Sequence, residues 1–310
     1  MLDKLKSKLH PDTDNPAPES EPSLKPHHTI KPCHLFPVPV KHAFTTLPDC
    51  TAHEAHIRVL TLSDSALRVE KTTPGTSHQC VQVDGIQSWE ALYPEGSINP
   101  QGKIKGGFGF YLCGPGGACA YESARDALFS YAIRFDEGFE FVKGGKIPGL
   151  YGGSTPELAY GCSGGRQESR DKCFSLRLMT NGAAEMYAYL PSTPANEAAL
   201  KDVPPMTHRN PDFGWSVGRG CFKFQPGKWT TIAERVRLNE VGQANGIIQL
   251  WADGELVLDV QGLEIRVDKD VVFRGAHFQT FFGGKAQDWA SPKDQCAHFG
   301  CISGAVLEEW

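Results

Sequence analysis

Residues 174–190 read FSLRLMTNGAAEMYAYL, and their alternation decides the fold class. Phe174, Leu176 and Leu178 fall on one face of an extended chain, Ser175 and Arg177 on the other. After Thr180-Asn181-Gly182-Ala183 the alternation resumes. Met186, Ala188 and Leu190 share one face; Glu185, Tyr187 and Tyr189 share the other. A period of two on both sides of a turn signal reads as an antiparallel hairpin with one core face and one polar face. A two-residue Asn181-Gly182 turn would set Arg177 against Met186 and mix the faces. A three-residue loop centred on Gly182 sets Arg177 against Tyr187 and Ser175 against Tyr189, and gives glycine the left-handed position. The longer loop is expected. It gathers a guanidinium, a hydroxyl and two phenols on one exposed patch of sheet.

The same period extends outward. Strands are expected at Ile57–Leu62, Ala66–Lys71, Cys80–Val83, Ala127–Phe135, Phe174–Met179, Ala184–Leu190, Trp229–Leu238, Ile247–Ala252, Glu255–Val260, Ala276–Phe282 and Ala297–Leu307. Asn245-Gly246, Asp253-Gly254 and Gly283-Gly284 punctuate them, and no long segment has a helical period. With 33 Gly and 22 Pro in 310 residues, turns are plentiful. The expectation is an all-β chain, a jelly-roll sandwich of two antiparallel sheets forming one domain over residues 32–310. Residues 1–31 hold five basic residues, five acidic residues and five prolines with almost no apolar pattern, and read as a disordered tail. Residues 32–48 read as an extended, proline-rich edge.

Charge and cysteines narrow the function classes. Thirty-one basic against 36 acidic residues give −5, which argues against nucleic-acid and membrane-surface partners. No run of 18 apolar residues occurs, and the N-terminus lacks the apolar core of a signal peptide. Ten cysteines argue for an oxidising, extracellular compartment; a cytoplasmic chain with free thiols is the alternative. Cys113 with Cys119, Cys162 with Cys173, and Cys296 with Cys301 are each spaced to close a small loop. Zinc-type CxxC or HxxxH spacing is missing, and His53 and His56 have no second cluster, so no metal is expected. A monomer is expected.

The patch suggests a chemistry. Arginine presents a planar fork that fits a carboxylate. Tyrosines move protons when a nearby cation lowers a phenol pKa. Both suit β-elimination at a uronic acid: neutralising the C6 carboxylate acidifies C5–H, and O4 leaves with a proton. No metal or organic cofactor is required. An ordinary solvent-facing strand pair has the same composition. Residues 138–153, GFEFVKGGKIPGLYGG, add Lys143 and Lys146 in a glycine-flanked turn that lacks the P-loop pattern and is able to cap an anionic groove.

Several segments in order, FSYAIRFDEGFEFVKGGKIPGLYGG (129–153), DKCFSLRLM (171–179), EMYAYLP (185–191), VGRGCFKFQPGKWTTIAERVRLN (217–239), GIIQLWADGELVLDV (246–260) and QTFFGGKAQDWASPKDQ (279–295), resemble polysaccharide lyase family 14. The likeness runs from about Ala127 to the C-terminus and is weaker over residues 32–126. It implies a jelly roll with a long groove, an acidic polysaccharide partner such as alginate or glucuronan, and eliminative cleavage. By that resemblance Lys146, Ser175, Arg177, Tyr187 and Tyr189 are the catalytic set, and Cys162–Cys173 is a disulfide closing the loop before Ser175.

Other residues weigh less. Gly161-Cys162-Ser163-Gly164-Gly165 is like a protease nucleophile loop, but Cys replaces Asp and no matching His and Asp segments occur. Asp136, Glu137 and Glu140 cluster without the alternation of a glucanase site. Gln279 shares a strand face with His277 and is placed to bind sugar or carboxylate. Tyr151 is placed to stack on a sugar; Trp89, Trp215, Trp251 and Trp289 read first as core. Residues 191–214 read as a flexible lid or rim. Arg219 has no chemical role in the sequence. The alternatives are a non-catalytic carbohydrate-binding jelly roll and a glycoside hydrolase of similar fold. The polymer, endo or exo cleavage, and the base among Tyr187, Tyr189 and Lys146 stay open.

Overall fold

The computed structural model describes residues 30–48, 50, 56–163, 166 and 168–310. The expected tail, apart from Ile30 and Lys31, lies outside them, as do His53, Gly164 and Gly165. Two sheets pack face to face as a jelly roll. The first runs Glu255–Leu263, Gly246–Ala252, Trp229–Arg237, Ala124–Phe135, Gln295–Glu309, His42–Thr45 and His56–Val59, with Ile86–Tyr93 and Gln79–Val83 added beside Gln295–Glu309. The second runs His208–Asn210, Gly214–Val217, Ala184–Tyr189, Cys173–Thr180, Gly145–Gly153, Val272–Phe282, Phe108–Leu112 and Val69–Glu70. Every pairing is antiparallel except His42–Thr45 with His56–Val59.

The core lies between the sheets, where the apolar faces of the alternating strands meet. Phe108, Phe110, Phe278, Phe299, Trp89 and Tyr131 interlock there, with ring centres 5.1–6.0 Å apart along the chain of contacts. Burying rings of this size supplies most of the driving force for pairing the sheets. A second apolar cluster covers the outer face of the first sheet. Leu35, Phe36 and Ala43 pack there on Leu128, Ala132, Trp229 and Trp251.

The structure corrects several expectations. Residues 32–48 are no extended edge: Pro32–Leu35 is a helical turn, and His42–Thr45 is an interior strand beside Gln295–Glu309. The strands at 86–93, 108–112, 208–210 and 214–217 carry too many aromatics, small residues or polar residues to show a clean period. Lys146 is not in a turn but on the strand Gly145–Gly153. Its glycines disguised it, yet they are what the site demands. A Cβ on Gly149 would lie 2.0 Å from the Leu176 carbonyl oxygen, and one on Gly152 2.3 Å from that of Val272. Residues 191–214, read as a lid or rim, carry secondary structure of their own, including the strand His208–Asn210. Pro194–Leu200 is a helix whose N-cap, Thr193, accepts a hydrogen bond from Asn196 N at 3.2 Å. Leu200 is buried, and Asn196 Nδ2 donates to the carbonyls of Pro191 and Glu264 at 2.9 Å.

Cys162 and Cys173 form a disulfide, with Cα atoms 5.9 Å apart. The other two pairs do not form: Cys113, Cys119, Cys296 and Cys301 are free thiols. Cys296 and Cys301 lie on one strand, where five residues span about 16 Å. Cys119 packs into the central core, while Cys113 lies beside the Glu70 carboxylate.

Candidate active site

The Cys173–Thr180 and Ala184–Tyr189 hairpin pairs Thr180 with Ala184, Arg177 with Tyr187 and Ser175 with Tyr189. This is the register of the three-residue loop, with Gly182 at φ +96°. Thr180 Oγ1 accepts from Gly182 N at 2.9 Å and closes the turn. On the other flank, Gly145–Gly153 sets Lys146 opposite Met179, Gly149 opposite Arg177 and Tyr151 opposite Ser175. Val272–Phe282 then sets His277 opposite Gly149.

A bulge between Ile147 and Gly149 shifts that strand's phase. It lets Lys146 and Tyr151 both face away from the core while Ile147 and Leu150 enter it. Two groups from the opposite sheet hold the bulge. Tyr131 Oη donates to the Pro148 carbonyl at 3.1 Å, and Glu234 Oε2 accepts from Leu150 N at 2.9 Å. Glu234 is buried, its Oε1 has no hydrogen-bond partner, and burial raises its carboxyl pKa well above the usual range. Burial thus favours the protonated form of a side chain that pins the strand carrying Lys146.

The five catalytic candidates converge. Lys146 Nζ lies 4.1 Å from the Tyr187 ring centre and 5.4 Å from that of Tyr189. Arg177 Cζ is 5.8 Å from the Tyr189 ring, and the two tyrosine rings meet edge-on with centres 5.3 Å apart. The patch is not exposed, as the alternation alone had implied. Ser175 is 1%, Arg177 2% and Lys146 9% exposed, because neighbouring strands and the disulfide wall them in. Only Tyr187 is half-buried.

Burial sets the electrostatics. It lowers the Lys146 ammonium pKa well below its ordinary value; Arg177 lowers it further and Glu185 opposes. Lys146 Nζ has no hydrogen-bond partner. Burial raises the Tyr187 phenol, reinforced by Tyr189 and Glu185 and opposed by Arg170. The amine therefore gives up its proton easily and the phenol keeps its own. His277, stacked on Tyr111 with centres 4.3 Å apart, is held neutral by burial, then by Arg177 and Lys146.

The remaining candidates divide. Gln279 joins the site, its amide oxygen accepting from Arg177 Nη1. Tyr151 presents no open face for a sugar to stack on. It is 1% exposed, packed against Tyr111, two strands away in the sheet, and Tyr160 of the helical turn Pro156–Tyr160. Lys143 stands outside the cluster on the rim, paired with Asp288 and 5.8 Å from the Trp289 ring. The carboxylates at 136 and 140 are structural. Asp136 accepts from Cys296 N at 2.7 Å, and Glu140 pairs with Lys293 at 2.9 Å. Arg219 acquires a role: its Nε lies 3.4 Å from Glu185, a buried carboxylate that also accepts from Ser216 Oγ at 2.5 Å.

The sequence placed Glu185 and His277 on the site's strand faces without a role, and gave no sign of Arg170. The first two share strand faces with Tyr187 and Gln279, and that alternation was the available signal. Arg170 precedes the strand in the disulfide-closed loop, where no periodicity operates; its Cζ lies 5.7 Å from the Tyr189 ring. Among the described residues, no group of three His, Cys, Asp or Glu side chains is placed to hold a metal ion.

Comparisons with known proteins converge on one family. The sequence model of Polysaccharide lyase 14 matches residues 82–302. A PL-14 alginate lyase from Aplysia kurodai is 32% identical, over 77% of this chain and 90% of that one, with a TM-score of 0.67. The alginate lyase vAL-1 from Chlorella virus is 22% identical over 78% and 93%, with a TM-score of 0.62, and shares the fold. No curated protein matches the chain.

Proposed function

Since this chain belongs to polysaccharide lyase family 14 and is a polysaccharide lyase, we propose that it cleaves a uronic-acid polymer, of the alginate or glucuronan type, by β-elimination at the Lys146–Arg177–Tyr187–Tyr189 cluster. The observation that carries this reading is the partnerless Lys146 amine, buried beside the Arg177 guanidinium and 4.1 Å from the Tyr187 ring.

Arg177, oriented by Gln279 and aided by Ser175, neutralises the C6 carboxylate. C5–H is then acidic enough to be taken by Lys146 Nζ, whose pKa burial depresses, so that it sheds its own proton more readily than an ordinary lysine. The C5 electron pair forms the C4–C5 double bond as C4–O4 breaks. A phenol, Tyr187 or Tyr189, protonates O4; the raised pKa of Tyr187 keeps its proton available until then. Two groups pushed in opposite directions by their surroundings divide the base and acid roles between them. Electrostatic stabilisation of the enolate-like charge by buried Arg177 is the largest contribution, because a dry site screens it least. The Cys162–Cys173 bond supports an oxidising, extracellular setting for the protein.

The test is a substrate panel of alginate, polyglucuronate and a neutral glucan, followed by the ultraviolet absorbance of an unsaturated uronate product. Absorbance is expected from at least one uronate polymer and none from the glucan. Cleavage of a uronate polymer without that absorbance would make the enzyme a hydrolase and overturn the mechanism.

A further inference from the structure

Tyr189 has two guanidiniums beside it. Arg177 Cζ lies 5.8 Å and Arg170 Cζ 5.7 Å from its ring centre. They arrive from different parts of the chain. Arg177 comes from the sheet floor; Arg170 comes from the short turn Arg170–Lys172 that ends the loop closed by Cys162–Cys173. The disulfide packs with Tyr189 in one cluster, so the loop is fastened to the ring that Arg170 addresses. Arg170 is also held from behind: its Nε and Nη2 donate to the Arg166 carbonyl at 3.3 and 2.9 Å.

Arg170 is partly buried, yet among the described residues no carboxylate lies within ion-pair distance of it. Arg219 and Arg235, by contrast, are occupied by Glu185 and Asp126. Desolvating a guanidinium without an anion is unfavourable, and an aromatic face offsets only part of it. An anionic ligand would supply the rest. A polyuronate carries a carboxylate on every sugar, whereas Arg177, enclosed and engaged with Gln279, offers a single guanidinium fork.

We infer that Arg170 binds the carboxylate of the sugar next to the one held by Arg177, so that the disulfide-closed loop selects chains of consecutive uronates. The inference rests on the uronate-polymer reading above. Arg170 contributes to binding and not to the chemical step.

The experiment compares wild type, Arg170→Ala and Arg170→Lys on alginate and polyglucuronate, at low and high NaCl, with melting temperatures recorded. On the polymer that the wild type cleaves, Arg170→Ala is expected to raise KM about tenfold at low salt, with kcat within about twofold, as for an interaction made equally in ground and transition states. Arg170→Lys should recover most of that loss, and high salt should shrink the difference between wild type and Arg170→Ala. An unchanged KM, or a fall in kcat at constant KM, overturns the inference; the latter would assign Arg170 to the tyrosine chemistry. A KM rise that high salt leaves intact and Arg170→Lys does not recover would mark a structural role and also overturn it. If the wild type yields no unsaturated product from either polymer, the substrate reading fails first. If it does and Arg170→Ala behaves as wild type, only the Arg170 inference fails.

Discussion

Lys146 Nζ stands 4.1 Å from the centre of the Tyr187 ring, on a strand two removed from the tyrosine in the sheet. An amine over a ring face normally gains as a cation. Here burial and Arg177 act against its charge, which is why the proposed mechanism casts the amine as proton acceptor and the phenol as donor.

That pairing fixes a pH dependence. With Lys146 as the proposed base, kcat/KM should rise as pH passes its lowered pKa, well below the ordinary lysine value, and fall only where a phenol ionises. Lys146→Arg keeps the charge but cannot deprotonate, and should lose about 10²–10⁴-fold in kcat/KM across the range. Initial rates of product absorbance measure both. A wild-type profile that first rises in the ordinary lysine range would exclude a lowered amine pKa, and one with no such rise at all would exclude the amine as base.

Arg177→Ala should lower kcat/KM by about 10²–10³-fold, the usual size for removing a preorganised charge stabiliser. Arg177→Lys should not restore it, because the fork that meets a carboxylate and Gln279 together is lost. Melting temperatures should fall far less than activity. A normal rate in Arg177→Ala would mean that the substrate carboxylate is held elsewhere.

Glu234 predicts a stability effect with a definite sign. Its folded pKa is raised above the unfolded value, so its contribution is fully present below the unfolded pKa and is lost as pH rises through the folded one. Glu234→Gln keeps a carbonyl for Leu150 N without the ionisable proton. It should match wild type at acid pH and become the more stable protein as pH increases. Denaturant melts at several pH values test this; parallel curves would show that Glu234 does not titrate between the two states.

Gly149→Ala should cost both stability and activity. Its Cβ would sit 2.0 Å from Leu176 O, which is backbone and cannot swing aside. The strand must shift, and Lys146 and its bulge shift with it. Circular dichroism and rate assays would check this; wild-type values in both would show that the strand has slack.

Much of the site was legible because β-structure has a period of two. Between residues 174 and 190 that period fixed the faces, and the need to keep apolar residues together fixed an odd loop and hence the Arg177–Tyr187 and Ser175–Tyr189 pairs. The family motifs then singled out Lys146 from Lys143, and the structure separates the two, one inside the cluster and one on the rim.

What the sequence determined by itself is therefore local: which residues face together on a strand, and where the chain must turn. Tertiary structure decided everything that depends on neighbours distant in the chain. Gly145–Gly153 is a strand because only glycine fits where Leu176 and Val272 approach, and no period reports a close approach. Tyr151 is buried because a bulge, pinned by Glu234 from the opposite sheet, sets its phase. The pKa values of Lys146 and Tyr187 move apart because adjacent strands of the second sheet and the Cys162–Cys173 pair bury both groups at one spot, and desolvation belongs to the assembled fold, not to any single segment.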